Sequence, residues 1–336
     1  MNEAAATSPP CPVRPVRGEK LLRGLHRLLP LGRKYGALFG LLNSRHDLVA
    51  VPFAGYHLVY PALWRKAAVT QLLVGVDVVP EFRLLAAARG QFTQGALIDL
   101  GANVGLYTLL LRSVSPQPII AYEPQPFLFR LLQWTVAFNQ LPLVTLRNVG
   151  CGDVAGELPF LTGINGSVLS GESNQRRPGQ PAEPGPNGAD WERTARVWIE
   201  EQPVIRVPIV PLDADLSEAG PVALLKIDCE GFEYRILLGA RDLLERQRPW
   251  LFLEIHPALL PNFGNSARQV VELLTPRYDL EFWCFQTTGR KSKLARSLAK
   301  FRRPKGRRYA DAAAMLAAAE SPGGPAQIYC LGRPMK

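Results

Sequence analysis

The chain has 336 residues, 47% hydrophobic and 20% charged, enough to bury a full core and too apolar to be disordered as a whole. Its net charge of +10 is local: residues 290–308 hold ten Lys or Arg and no acid, and the remainder carries 29 basic and 29 acidic groups, so a generic polyanion-binding enzyme is not implied. Five cysteines without a C-x-x-C pair, four scattered histidines, no run of 18 apolar residues and a proline-rich N-terminus argue against a disulfide framework, a structural zinc, a transmembrane helix and a secretory signal, and for a cytoplasmic setting.

Residues 1–18 are rich in Pro and Ala and read as a disordered tail. Residues 20–29 (KLLRGLHRLL) put Leu21, Leu22, Leu25, Leu28 and Leu29 on one side of a short helix stopped by Pro30. That side suits docking on the domain, with an anionic membrane surface as the alternative. Residues 49–60 read as an extended pair about Ala54-Gly55, and 81–88 as a helix. Residues 19–90 are thus a helical and β-hairpin cap, in which Arg65 and Glu81 are expected to be solvated, a cofactor-facing role being the other reading.

Residues 96–111 (ALIDLGANVGLYTLLL) organise the remainder of the chain. A buried strand ends on Asp99 and Leu100, a glycine turn comes next, and apolar periodicity resumes at Leu106. Strand, tight turn and helix start are what a nucleotide-type cofactor requires. Gly101 lets the backbone turn, and Gly105 permits close approach. Glu123 ends the next strand, 24 residues past Asp99, at the spacing of an acid that grips a ribose diol. A dinucleotide fingerprint would read G-x-G-x-x-G, but Asn103 and Leu106 occupy the second and third glycine positions. A pyrophosphate needs bare backbone there; S-adenosylmethionine has no phosphate, so the departure favours it. A turn without ligand is the alternative.

After Glu123, Pro124 opens a helix to about Phe138, and 143–149 is a third strand leaving through Gly150-Cys151-Gly152-Asp153. Asp153 would accept from an adenine amino group or cap a turn. Residues 163–195 are Gly-, Pro- and Asn-rich and read as a long surface insertion, partly disordered, able to cover a substrate. Strands come next at 203–210 and 222–227, the latter running into Asp228, Cys229, Glu230 and Gly231, then a helix over 232–244. Residues 250–255 are a strand carrying Glu254 and reaching His256; 266–274 is a helix, 278–286 a strand, and 326–331 a last, antiparallel strand. Between these two lies a basic insertion, 289–325. In it Leu294, Leu298 and Phe301 fall at i, i+4 and i+7 among lysines and arginines, a basic amphipathic signature.

Asp99-Leu-Gly-Ala-Asn-Val-Gly-Leu-Tyr-Thr108, Tyr122-Glu-Pro124, Lys226-Ile-Asp-Cys-Glu-Gly-Phe-Glu233, Leu238-Gly-Ala240 and Glu254-Ile-His256 occur in this order. Together they resemble the FkbM family of S-adenosylmethionine-dependent methyltransferases, over roughly residues 76–278. The resemblance implies an α/β fold, the class I methyltransferase Rossmann-like doubly wound sheet, mostly parallel with an antiparallel C-terminal strand, spanning residues 91–331. It implies that Asp99, Gly101, Asn103 and Gly105 cradle the methionine part of the cofactor, that Glu123 holds the ribose and that Asp153 reaches the adenine. Lys226, Asp228, Glu230 and Gly231 would then lie beside the transferred methyl group, with Glu254 and His256 from the next strand. Cys229 stands where the family usually has Val or a similar residue. Members of the family mostly methylate hydroxyl oxygens of sugars, polyketides or other metabolites, so a small-molecule or glycan acceptor is expected.

A hydroxyl is a weak nucleophile and needs a base or a metal. The reading favours deprotonation by Asp228 assisted by His256; a divalent metal is compatible with these residues but not demanded by their spacing, and no metal ligand is assigned. Plainer roles compete: Glu230 in a first helical turn, Glu254 paired with Lys226, His256 as an ordinary strand-end residue. A nucleic-acid methyltransferase using residues 290–308 is the alternative enzyme, disfavoured because Phe301 and Tyr309 are the only aromatics in or beside that stretch. A non-catalytic protein on the same fold is the third reading, opposed by the intact glycines with Glu123, Asp228 and Glu254. Weak contact with an anionic membrane, leaving the enzyme cytoplasmic but peripheral, is the expectation from the amphipathic segment. Oligomeric state and acceptor identity are not legible.

Overall fold

Nearly every residue is apolar in four runs, ALIDL, IIAY, VALLKID and WLFLEI, as strands covered on both faces require. They are β4 (Ala96–Leu100), β5 (Ile119–Tyr122), β11 (Val222–Asp228) and β12 (Trp250–Ile255), and with β6 (Val144–Arg147) they run parallel. β13 (Tyr278–Cys284), β14 (Arg307–Arg308) and β15 (Ile328–Pro334) complete one sheet of order β14-β13-β15-β12-β11-β4-β5-β6. β15 is antiparallel to both β12 and β13. This is the expected class I methyltransferase sheet. The structure, a computed structural model, describes residues 9, 11–29, 35–163, 166–169, 202–285 and 306–335.

Strand order reverses between β4 and β11. The chain moves outward through β5 and β6 on one side and through β12 on the other, opening a crevice beyond the carboxyl ends of the two central strands. One face is covered by α5 (Leu106–Val114) and α6 (Pro126–Phe138), the other by helices Glu233–Leu238, Arg241–Arg246, Ala267–Leu274 and Ala312–Ala319. The single helix expected over 232–244 is two. A Cβ on Gly239 would strike the Gly152 carbonyl, and Asp213 starts the second helix by accepting from Asp242 N and Leu243 N, each at 2.9 Å.

In the N-terminal part, β2 (Leu48–Phe53) and β3 (Tyr56–Pro61) form the hairpin about Ala54-Gly55. It is bound to α6: Asn139 accepts from His57 N at 2.8 Å and donates to His57 O at 2.7 Å, and Thr135 Oγ1 accepts from Val59 N. One apolar cluster runs from Leu22, Phe39 and Leu58 to Leu131 and Trp134, so cap and sheet share a core. The helices of the cap are α1 (Glu19–Leu28), α2 (Gly36–Leu42), α3 (Arg65–Val74) and α4 (Phe82–Ala88). α1 docks through buried Leu22 and half-buried Leu25 and leaves Leu21 and Leu28 exposed.

Three expectations are corrected. The tail is not disordered throughout: β1 (Val13–Pro15) adds parallel to β2. A three-residue strand borrows a ladder from an edge already formed and needs no pattern of its own. Residues 1–8 and 10 lie outside the described residues. The insertion at 163–195 begins as structure, because β9 (Ser167–Val168) pairs with β8 (Gly156–Leu161) in a second sheet that also holds β7 (Gly150–Cys151) and β10 (Val204–Val210); residues 164–165 and 170–201 lie outside the described residues. The basic insertion is in part core: β14 pairs with β13, and Tyr309 and Met315 are buried. Neighbouring charges concealed those apolar positions in the composition. The amphipathic segment at Leu294, Leu298 and Phe301 lies outside the described residues. Among the described residues no helix is long and apolar enough to cross a membrane.

Candidate active site

β4 ends at Leu100, and the chain turns through Gly101 at φ 73° and Asn103 at φ 54°. A Cβ on Gly101 would run into the carbonyl oxygen of Asp228, so the turn and the end of β11 touch only because glycine has none. Asn103 tolerates the left-handed region because its Oδ1 accepts from Val104 N at 2.8 Å. Gly105, at φ 98°, starts α5. Glu123 at the end of β5 is buried, and its two oxygens accept from Asn103 N at 2.9 Å and Gln125 N at 2.8 Å. Burial pushes the Glu123 carboxyl up to about 7, against the pull of those two donors.

Asp99 and Lys226 lie beneath this loop. Lys226 Nζ is 2.9 Å from Asp99 Oδ1 and donates to Leu100 O at 3.0 Å and Gly101 O at 3.2 Å, while Asp99 Oδ2 accepts from Thr108 at 2.7 Å. Burial disfavours the ammonium, and the carboxylates of Asp99 and Asp228 together more than offset it, so Lys226 is held above its ordinary range. The ammonium's three protons face three oxygens and its side chain is buried, so Lys226 braces the Gly101 turn instead of reaching the crevice. Its partner is Asp99 and not Glu254. Neither Asp99 nor Lys226 lines the cavity.

That cavity, about 370 Å³, is lined by Gly101, Asn103, Glu123, Asp228 and Glu230, with Phe232 among its apolar lining. Asp153, expected near an adenine, is not on the wall; it forms an ion pair with Arg235 Nη1 at 2.6 Å. Gly150 and Cys151, just before it, line the cavity instead.

Parallel pairing of β11 and β12 sets Asp228 level with Glu254. Both project from carboxyl ends, and His256 lies two residues on. One donor atom each from Asp228, Glu254 and His256 lie within 4.8 Å of one another. His256 is buried, with Nδ1 2.7 Å from Glu233 Oε1, which also accepts from Gly231 N at 2.8 Å. His256 Nε2 stands 3.4 Å from Glu254 and 3.7 Å from Glu230. Burial raises the carboxyls of Glu230 and Glu254, and Asp228 raises Glu254 further. Burial alone would depress His256, but the carboxylates of Glu233 and Glu254 outweigh it and hold the imidazole well above its ordinary range. Glu233 thus holds one ring nitrogen of His256, while the other faces Glu254 and Glu230.

Glu81 is also corrected. It is buried, and its Oε1 accepts from the Tyr107 hydroxyl at 2.9 Å. Burial pushes it up to about 7, with Asp228 adding to the rise, and Tyr329, itself raised by burial, feels the charge of both Glu254 and Glu81. The cap thus brings a buried carboxyl within electrostatic reach of Asp228. Sequence reasoning missed Glu81, Tyr107, Glu233 and Tyr329 as parts of this cluster. Tyr107 and Glu233 sit inside recognisable motifs, whereas Glu81 and Tyr329 carry no local signal.

Comparison with known proteins finds that a family model described as the methyltransferase FkbM domain matches residues 99–282, more than half of the chain. Methyltransferase 1 of Beauveria bassiana (strain ARSEF 2860) is 28% identical over 155 residues, covering 44% of this chain and 58% of that protein. Methyltransferase sdnD of Sordaria araneosa is 29% identical over 163 residues, covering 44% and 60%. The chain therefore spans less than two thirds of the length of these curated relatives. A crystal structure of methyltransferase FkbM from Methylobacillus flagellatus KT aligns at 15% identity with a TM-score of 0.35, over 64% of this chain and 50% of that one.

Proposed function

The chain belongs to the FkbM family of S-adenosylmethionine-dependent methyltransferases, and on that premise we infer that it is an O-methyltransferase acting on a hydroxyl of a sugar, glycan, polyketide or related metabolite. The observation that carries this reading is one cavity lined by both Glu123 and Asp228. Glu123 fits a ribose: each oxygen takes one backbone N–H, leaving lone pairs free for a diol. Gly101, Asn103 and Gly105 keep side-chain bulk off the turn where the methionine part would lie. The cofactor supplies an electrophilic methyl on a positively charged sulfur. The acceptor oxygen forms the new bond to carbon as the sulfur–carbon bond breaks, and Asp228 is the carboxylate to receive the hydroxyl proton. Phe232 and its apolar neighbours exclude water. The direct test is transfer of labelled methyl from S-adenosylmethionine into metabolite and glycan extracts; transfer to nitrogen or carbon acceptors alone would overturn the oxygen assignment.

Binding of the cofactor product should depend on pH through Glu123. Its carboxyl is raised in the fold, so the protonated form is favoured below about 7, and the fold loses that contribution as pH rises through this value. A diol donates to the ionised form, so binding expels a proton. S-Adenosylhomocysteine affinity is expected to rise with pH, by at most about tenfold per unit, and to level off above about 7. Glu123→Gln should weaken binding and flatten the profile. Calorimetry in buffers of different ionisation enthalpy reads the released proton; a flat wild-type profile would refute the ribose role.

Weak membrane contact is part of the same reading. It is supported by Leu28 and Leu21 on α1, 81% and 50% exposed, beside Lys20 and Arg27. Greater recovery with anionic than with neutral vesicles on flotation is expected, and equal recovery would remove it.

A further inference from the structure

Four carboxyl groups, Asp228, Glu230, Glu233 and Glu254, lie around one histidine, His256. His256 is 2% exposed, and its Nε2 has no hydrogen-bond partner among the described residues, although it lies 3.4 Å from Glu254 and 3.7 Å from Glu230. Its other nitrogen is fixed. Glu233 Oε1 can only accept, at 2.7 Å from Nδ1. In the neutral ring the proton is therefore on Nδ1 and the free lone pair is on Nε2. A carboxylate that orients a histidine in this way is the usual outer partner of a metal-binding imidazole.

We propose that Asp228, Glu254 and His256 Nε2 form a divalent-cation site, with Glu233 as its positioning residue. The donor atoms lie within 4.8 Å of one another. Ligands at about 2.0–2.6 Å from one ion are at most about 4–5 Å apart, so the three fit one coordination sphere. Two carboxylates and one imidazole make a mixed set, more oxygen-rich than zinc or copper sites and less so than calcium sites, which suits Mn²⁺. Asp228 is the half-exposed member and lines the cavity, so the ion's open positions face the acceptor. A cation there lowers the pKa of a bound hydroxyl, and Asp228 then acts through it. The proposal rests on the acceptor lying at Asp228, but cation binding is measured without any acceptor.

Mn²⁺ titrated into the full chain, read by the free-ion electron paramagnetic resonance signal, is expected to show one tight site. The bound ion in the wild type should show coupling to an imidazole nitrogen by electron spin-echo spectroscopy. Glu233→Gln should weaken Mn²⁺ by roughly 10–100-fold while S-adenosylhomocysteine still binds at Glu123, which reports an intact fold. Mn²⁺ that titrates as free ion, bound Mn²⁺ without nitrogen coupling, or a folded Glu233→Gln with unchanged affinity would each overturn the site. The wild-type spectrum decides the matter if the variant does not fold. Failure of methyl transfer to oxygen with Mn²⁺ bound through nitrogen would instead reject the functional reading and leave the cation site standing.

Discussion

Asp228→Asn is expected to bind S-adenosylhomocysteine as the wild type does and to lose turnover by roughly 10²-fold or more. The substitution keeps size and removes charge at the one carboxylate that both ends β11 and lines the cavity. Asp228 is half-buried and its side chain carries none of the bonds that hold the Gly101 turn; its backbone carbonyl, which meets Gly101, is unchanged. Folding and cofactor affinity should therefore survive while proton removal from the acceptor fails. Methyl transfer on an identified acceptor, with calorimetry on the same preparation, makes the comparison. Wild-type turnover in folded, cofactor-competent Asp228→Asn would take this residue out of the mechanism. Sensitivity of the wild-type rate to chelation then separates a cation-mediated role from a direct one.

Lys226→Met should act on stability before it acts on chemistry. It leaves Asp99 buried with Thr108 as its remaining hydrogen-bond donor and strips the donor from Leu100 O and Gly101 O. Breaking a buried ion pair from one side costs about 3–5 kcal/mol, because the surviving charge is uncompensated. For a chain of this size that is a fall in Tm of roughly 4–7 °C. Adding Asp99→Asn removes the stranded charge and should recover a large part of the loss, a coupling that a double-mutant cycle measures. A stable Lys226→Met with lost turnover and normal cofactor binding would return Lys226 to the reacting atoms and refute the bracing role.

Local sequence determined the frame of this protein. Unbroken apolar runs identify β4, β5, β11 and β12 because a strand buried on both faces leaves no polar alternation. The positions of Gly101 and Gly105 mark the tight turn between β4 and α5 because only glycine allows that approach, and the ordered motifs from Asp99 to His256 identify the family. Parallel strands in one sheet place their carboxyl ends together, so Glu123, Asp228, Glu254 and His256 could be gathered before any coordinates.

What tertiary structure decided is which way each side chain faces and what covers it. Asp99 and Lys226 point beneath the loop, Asp153 is taken by Arg235, and His256 is clasped by Glu233. None of these partnerships has a spacing rule, since Asp153 and Arg235 are joined only by the return of the chain through a second sheet. Glu81 and Tyr329 enter the cluster from the N-terminal cap and the last strand, far from every motif. Their charge state is set by burial, a property of the assembled core that no short stretch of sequence contains.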